Sequence, residues 1–126
     1  MSGYSDVKAV TITADTVALD ADGVSVAAAV GNNAALVIGG ALASGGAVAL
    51  SHGRVVTILS AGNDAAKSFT VTGTDVNGDS QTESITGANA GTATGTKFFK
   101  TISGISAVGN PAGNVSAGVN ASAADV

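Results

Sequence analysis

Residues Gly73–Gly87 read GTDVNGDSQTESITG. Asp75, Asn77 and Asp79 alternate through DVNGD, with Gly78 before the last of them. The stretch is either a cation loop or the turn of a β-hairpin, and the second reading points to an all-β fold. An EF-hand loop needs alternating oxygen ligands, a Gly at its sixth place and a bidentate Glu at its twelfth. Counted from Asp75, Gly78 is fourth and the twelfth residue is Thr86, so that pattern fails. A looser convergence of Asp75, Asn77 and Asp79 on a hard cation stays open as the alternative.

The hairpin reading makes a definite register. A two-residue loop of Asn77 and Gly78 would set Ile85 opposite Thr70 and send Phe69 and Ile85 to opposite faces. A three-residue loop, Val76-Asn77-Gly78, sets Phe69 opposite Ile85, and directly opposed residues share a face. It also brings Gly78 to the third loop position, where a type I turn followed by a G1 bulge needs a left-handed residue. Turn chemistry and hydrophobic register agree. The hairpin turn is therefore assigned to Asp75, Asn77, Gly78 and Asp79, and no metal ligand is assigned. Thr70, Thr72, Thr74 and Glu83 read as the solvated or half-buried face of the same strands.

Outward from the hairpin, the same period-2, β-branched pattern recurs. Val7–Thr13 (VKAVTIT), Gly23–Val30, Arg54–Leu59 (RVVTIL), Lys97–Ile102 (KFFKTI) and Asn114–Val119 read as strands. DADG, GNN, SHG, SAGND and GNPAGN read as the breaks between them. Ala34–Leu50 carries no charge but is interrupted by two Gly-Gly pairs. It is too short and too glycine-rich for a spanning helix, which takes about 20 mostly apolar residues. It reads as two short buried strands joined by glycine-rich turns, with room for only a short, disfavoured helix through Ala41. The expectation is a single all-β domain over residues 1–126. Its form is an antiparallel β-sandwich of short strands and Gly-rich turns, with residues 1–20 as an N-terminal arm or edge strand.

Composition narrows the function. The 126 residues include no Cys, one His and no Trp; 11% are charged and the formal net charge is −4. No basic cluster marks a nucleic-acid or anionic-membrane surface, so neither partner is expected. Without Cys there is no thiolate chemistry, and a single His excludes the usual zinc sets. The opening MSGYSDVKAVTITADT has no basic region followed by an apolar run, so no secretory leader is expected. His52, in LSHGRV beside Ser51, is the sole candidate base near neutral pH, and no G-x-S-x-G elbow accompanies it. The glycine-rich stretches lack the Lys-Ser/Thr ending of a phosphate loop. No catalytic residue and no cofactor is assigned, and an enzyme is not expected.

Phe98 and Phe99 are adjacent, so a strand would point them to opposite faces. One enters the core and the other needs cover. With Lys97 and Lys100 beside them, the pair reads equally as a strand with snorkelling lysines or as a subunit contact. Most residues are small, so a lone chain buries little area per side chain, and association with other subunits would stabilise it.

From Arg54 to Val119 the segments RVVTILSAGND, SFTVTGTDVNGDSQTESITGANAGT, KFFKTISGIS and AGNVSAGV follow in an order that resembles small structural proteins of tailed-bacteriophage virions. The resemblance covers about half of the chain. It implies a β-rich virion component of the capsid decoration (cement) type, a homo-oligomer expected to be a trimer, with the major capsid protein as partner. It implies location on the capsid surface after synthesis in the host bacterial cytoplasm. The first 50 residues carry no resemblance. A tail or neck protein is the nearest alternative. A secreted Ig-like adhesion or sugar-binding module is the alternative from another class, although Tyr4 and three Phe supply few aromatics for a sugar site.

Overall fold

The computed structural model describes residues 20–120. The Val7–Thr13 strand and most of the N-terminal arm expected from sequence lie outside these residues. Nine strands are present among them: β1 (Asp20–Ala29), β2 (Ala43–Ser44), β3 (Ala47–Arg54), β4 (Val56–Ser60), β5 (Ser68–Thr74), β6 (Ser80–Thr86), β7 (Thr92–Thr94), β8 (Phe99–Val108) and β9 (Asn114–Val119). They form two sheets, ordered β1-β9-β4-β7 and β2-β3-β8-β5-β6. Every pairing is antiparallel. The two sheets pack face to face as a β-sandwich around one apolar cluster.

Alternation builds the core. On β5, Phe69 and Val71 point inward while Ser68, Thr70 and Thr72 do not. On β4 and β9, Val56 opposes Val119 and Ile58 opposes Ala117, and all four are fully buried. Such rows suit a pleated sheet because successive side chains leave opposite faces. Thr57, Ser116 and Gly118, on the reverse face of the same strands, are also buried, while Leu59 on that face of β4 is exposed.

Several strand bounds differ from the sequence expectation, each for a tertiary reason. RVVTIL is not one strand. Arg54 ends β3 in the larger sheet, Val56 begins β4 in the smaller one, and Val55 is the crossing between them. The crossing residue Val55 runs straight into the β-branched stretch Val56–Ile58, which hides it from a hydropathy reading. SHG is not a break but lies inside β3, where His52 is half-buried. DADG is the start of β1, whose pairing with β9 shifts register twice. No helix forms through Ala41; instead Ala43–Ser44 pairs with β3 across a Gly45-Gly46 turn. Ala34–Ile38 forms no full strand, although Ala35 bridges Ser106 of β8. Strand β8 runs on to Val108 because a register shift opposite Thr72 and Gly73 accommodates the extra residue Ser103. That extra residue explains why Ile102 and Ile105, three apart, are both buried.

Candidate functional site

The Asp75–Asp79 segment is a turn. Phe69 stands opposite Ile85, and both are buried. The amide of Asp75 donates to Asp79 O at 2.9 Å, and that of Gly78 to Asp75 O at 3.1 Å. The loop proper is therefore Val76-Asn77-Gly78, with Gly78 at φ 86°. This is the left-handed region that glycine occupies without a Cβ penalty. Asp75 Oδ1 accepts from the amides of Asn77 (2.8 Å) and Asp79 (3.0 Å). One carboxylate oxygen is thus committed to the turn's own backbone, as an Asx-type turn requires. Among the described residues no three of His, Asp and Glu come together.

Phe98 and Phe99 part company. Phe99 opens β8 opposite Arg54 and is fully buried, while Phe98 precedes the strand and is 41% exposed. Arg54 itself is buried at 1% exposure, which its place at the head of a strand-like run did not suggest. The chain reaches Phe98 from β7 through a tightly held connection. Gly95 donates its amide to Val56 O at 2.8 Å, fixing the start of the connection to the smaller sheet. The other end is held by β6, the edge strand of the larger sheet. Gln81 Nε2 donates to Phe98 O at 2.7 Å, and Lys97 Nζ to Thr82 O at 2.8 Å.

Glu83 is the centre of this arrangement, and it is buried where the sequence led to the expectation of a solvated or half-buried strand face. Its carboxylate accepts from the Thr96 amide (2.6 Å), the Thr96 hydroxyl (3.0 Å) and the Lys97 amide (3.3 Å). A connection between two sheets must satisfy its backbone donors as it crosses the open side of the sandwich. Glu83 does this from the same face as Ile85, two residues along. Glu83→Ala is expected to cost about 2 kcal/mol, because it removes the charged acceptor of two part-buried backbone amides, those of Thr96 and Lys97. Urea denaturation measures that loss, and faster amide exchange at Thr96 and Lys97 locates it. Glu83→Gln keeps an acceptor oxygen and is expected to lose less.

The result is a large aromatic ring held outward by three successive contacts on β6. The β5–β6 turn stands at the same end of the larger sheet and presents Val76 at 51% exposure. On β5 and β8, Thr74 and Thr101 share a hydroxyl hydrogen bond at 2.6 Å, and Ser103 Oγ donates to Thr72 O at 3.1 Å. Part of the threonine row therefore serves cross-strand pairing.

A second anchor, which the sequence reading treated only as a break, lies in SAGND. Asp64 is fully buried; its Oδ1 accepts from the Ala112 amide at 2.7 Å, and its own amide donates to Ala88 O at 2.9 Å. It ties three connections together: those after β4, after β6 and after β8. Its Oδ2 is buried without a hydrogen bond. The structure places His52 and Ser51 in consecutive positions of β3, which point to opposite faces.

No protein-family model matches the chain, and no curated protein or solved structure matches it significantly.

Proposed function

We propose that the protein is a bacteriophage virion structural protein of the capsid decoration type, which binds the outer shell and stabilises it. The observation that carries this reading is the ordered run of segments from Arg54 to Val119 that resembles small virion proteins. Those segments supply β4, β5, β6, β8 and β9, the greater part of both sheets. The arrangement of apolar surface supports the reading: Phe98 and Val76 are exposed at one end of a sandwich whose own core is complete without them. Exposed aromatics on held backbone are economical interface anchors, since little side-chain freedom is lost on binding.

In this reading the protein acts as a homo-oligomer, taken to be a trimer, with the major capsid protein as partner. Each copy adds buried area between shell subunits, and the shell's symmetry repeats that contact many times. Simultaneous engagement makes individually weak contacts strong.

Copy number in purified particles, measured by quantitative mass spectrometry against the major capsid protein, tests this. Hundreds of copies are expected. A dozen or fewer would move the protein to the neck or tail, and absence from clean particles would remove the virion reading. Phe98→Ala tests the surface. It is expected to change stability by less than about 1 kcal/mol, since the ring is partly solvated, and to lower occupancy on particles in a rebinding assay. Full occupancy would discard Phe98 as an anchor.

A further inference from the structure

The free edge of the smaller sheet points to a second interaction. β1 is its outermost strand. Toward its start, Gly23 O and Val24 O accept from Leu42 N (2.8 Å) and Gly40 N (3.0 Å), which closes that part of the edge. Among the described residues, nothing pairs with the far half, Val26–Ala29, on the side away from β9. Beside it lies an apolar depression of about 240 Å³ lined by Val26, Ala27, Ala28, Val37 and Gly39. Val26 is 54% exposed and Val37 77%, the highest values among the large apolar side chains described. An unpaired edge with an apolar floor and no charge is a template for an added strand.

We infer that this edge accepts residues Val7–Thr13 (VKAVTIT) of a neighbouring copy as an additional strand. The segment has the β-branched composition of a strand, and Val10 and Ile12 share one face at period 2, which suits the floor formed by Val26 and Val37. Chain length argues against insertion within one molecule. From Asp20 to Val26 along β1 is roughly 20 Å at the usual strand rise. The linker Ala14–Leu19 could return over that distance only when almost fully extended, because each residue spans at most about 3.5 Å. The Gly40–Leu42 segment already occupies the edge it would have to run along. A neighbour's segment meets neither obstacle. Exchange of this kind joins copies through backbone hydrogen bonds, and closes a ring when the rotation between copies is symmetric. The inference concerns copies of this chain alone, so purified protein tests it apart from any virion.

The chain has no Cys, so introduced thiols report unambiguously. Full-length Val10→Cys and Val37→Cys proteins are mixed and oxidised, and a Val10→Cys/Val37→Cys double variant is oxidised in parallel. The expected result is a disulfide-linked heterodimer in the mixture and a ladder of linked chains from the double variant. No heterodimer in the mixture would overturn the inference. So would a double variant that closes only on itself, or a Val37→Cys protein that links to its own copy more readily than to Val10→Cys. Independently, Val37→Asp is expected to weaken self-association by about tenfold or more, as loss of an interface anchor does, with an unchanged circular dichroism spectrum. The side chain is mostly solvated, so the fold should survive the change. Unchanged oligomeric mass by light scattering would also overturn the inference.

Discussion

Gly73→Ala is expected to destabilise the protein by about 3 kcal/mol or more, a loss at the upper end for a change of one methyl group. Gly73 lies on β5 where its register against β8 shifts, opposite Ile102. A Cβ there would collide with Thr101 O and stand 2.8 Å from Thr101 C and 3.0 Å from Ile102 Cα. All three are backbone atoms of a central strand, so no side-chain rotation relieves the contact. Relief requires β5 and β8 to move apart, which weakens the ladder on both sides of the shift and the Thr74–Thr101 hydroxyl bond beside it. For a domain of this size the loss corresponds to a fall of about 10–15 °C in midpoint. Thermal denaturation of the purified variant measures it. A midpoint within a few degrees of the parent would mean that the two strands do not approach as closely as described.

Phe69→Ala is expected to cost about 3–5 kcal/mol, the range for truncating a fully buried aromatic. Phe69 is 0% exposed and stands between Ile85 on β6 and Ala107 on β8. Its ring also reaches toward Gly87 at the end of β6. Backbone pairing on both sides limits how far the neighbours can collapse, so the cavity term adds to the lost transfer energy. Total stabilities of small domains are about 5–15 kcal/mol, so this substitution leaves a marginal fold. Phe98→Ala removes the same side chain from a partly solvated position. A large loss at Phe69 and a small one at Phe98, by urea denaturation, checks that the two rings divide into core and surface. Equal losses would contradict that division.

The three phenylalanines show how far sequence reasoning reaches. Phe69 could be placed in the core because it and Ile85 fall into register only when Gly78 takes the left-handed loop position. Phe98 and Phe99 could be separated by alternation, but not assigned. Which of them enters the core depends on where β8 begins, and that is set by Glu83 and Gln81 holding the preceding residues. Thr92–Thr94 gave no strand signal at all: it is three residues of small side chains, and its pairing with β4 makes it a strand.

Charge burial was the least legible feature. Glu83, Arg54 and Asp64 each sit in polar or mixed surroundings in the chain, where a solvated face or a turn is the ordinary expectation. Glu83 is buried because its oxygens meet amides 13 and 14 residues away, and Asp64 because its oxygen meets one 48 residues away. No local pattern encodes such partners.

The amino-acid sequence by itself determined the all-β class, the register of the β5–β6 hairpin and the bounds of β9. These follow from period-2 alternation and from turn residues whose allowed φ values act within a few positions. Tertiary structure alone decided which sheet each strand joins, the crossing at Val55, the extra residue at Ser103 and the outward presentation of Phe98. Those features are set by backbone donors and acceptors that meet only after distant segments pack, where an unpaired buried group would cost more than any local preference supplies.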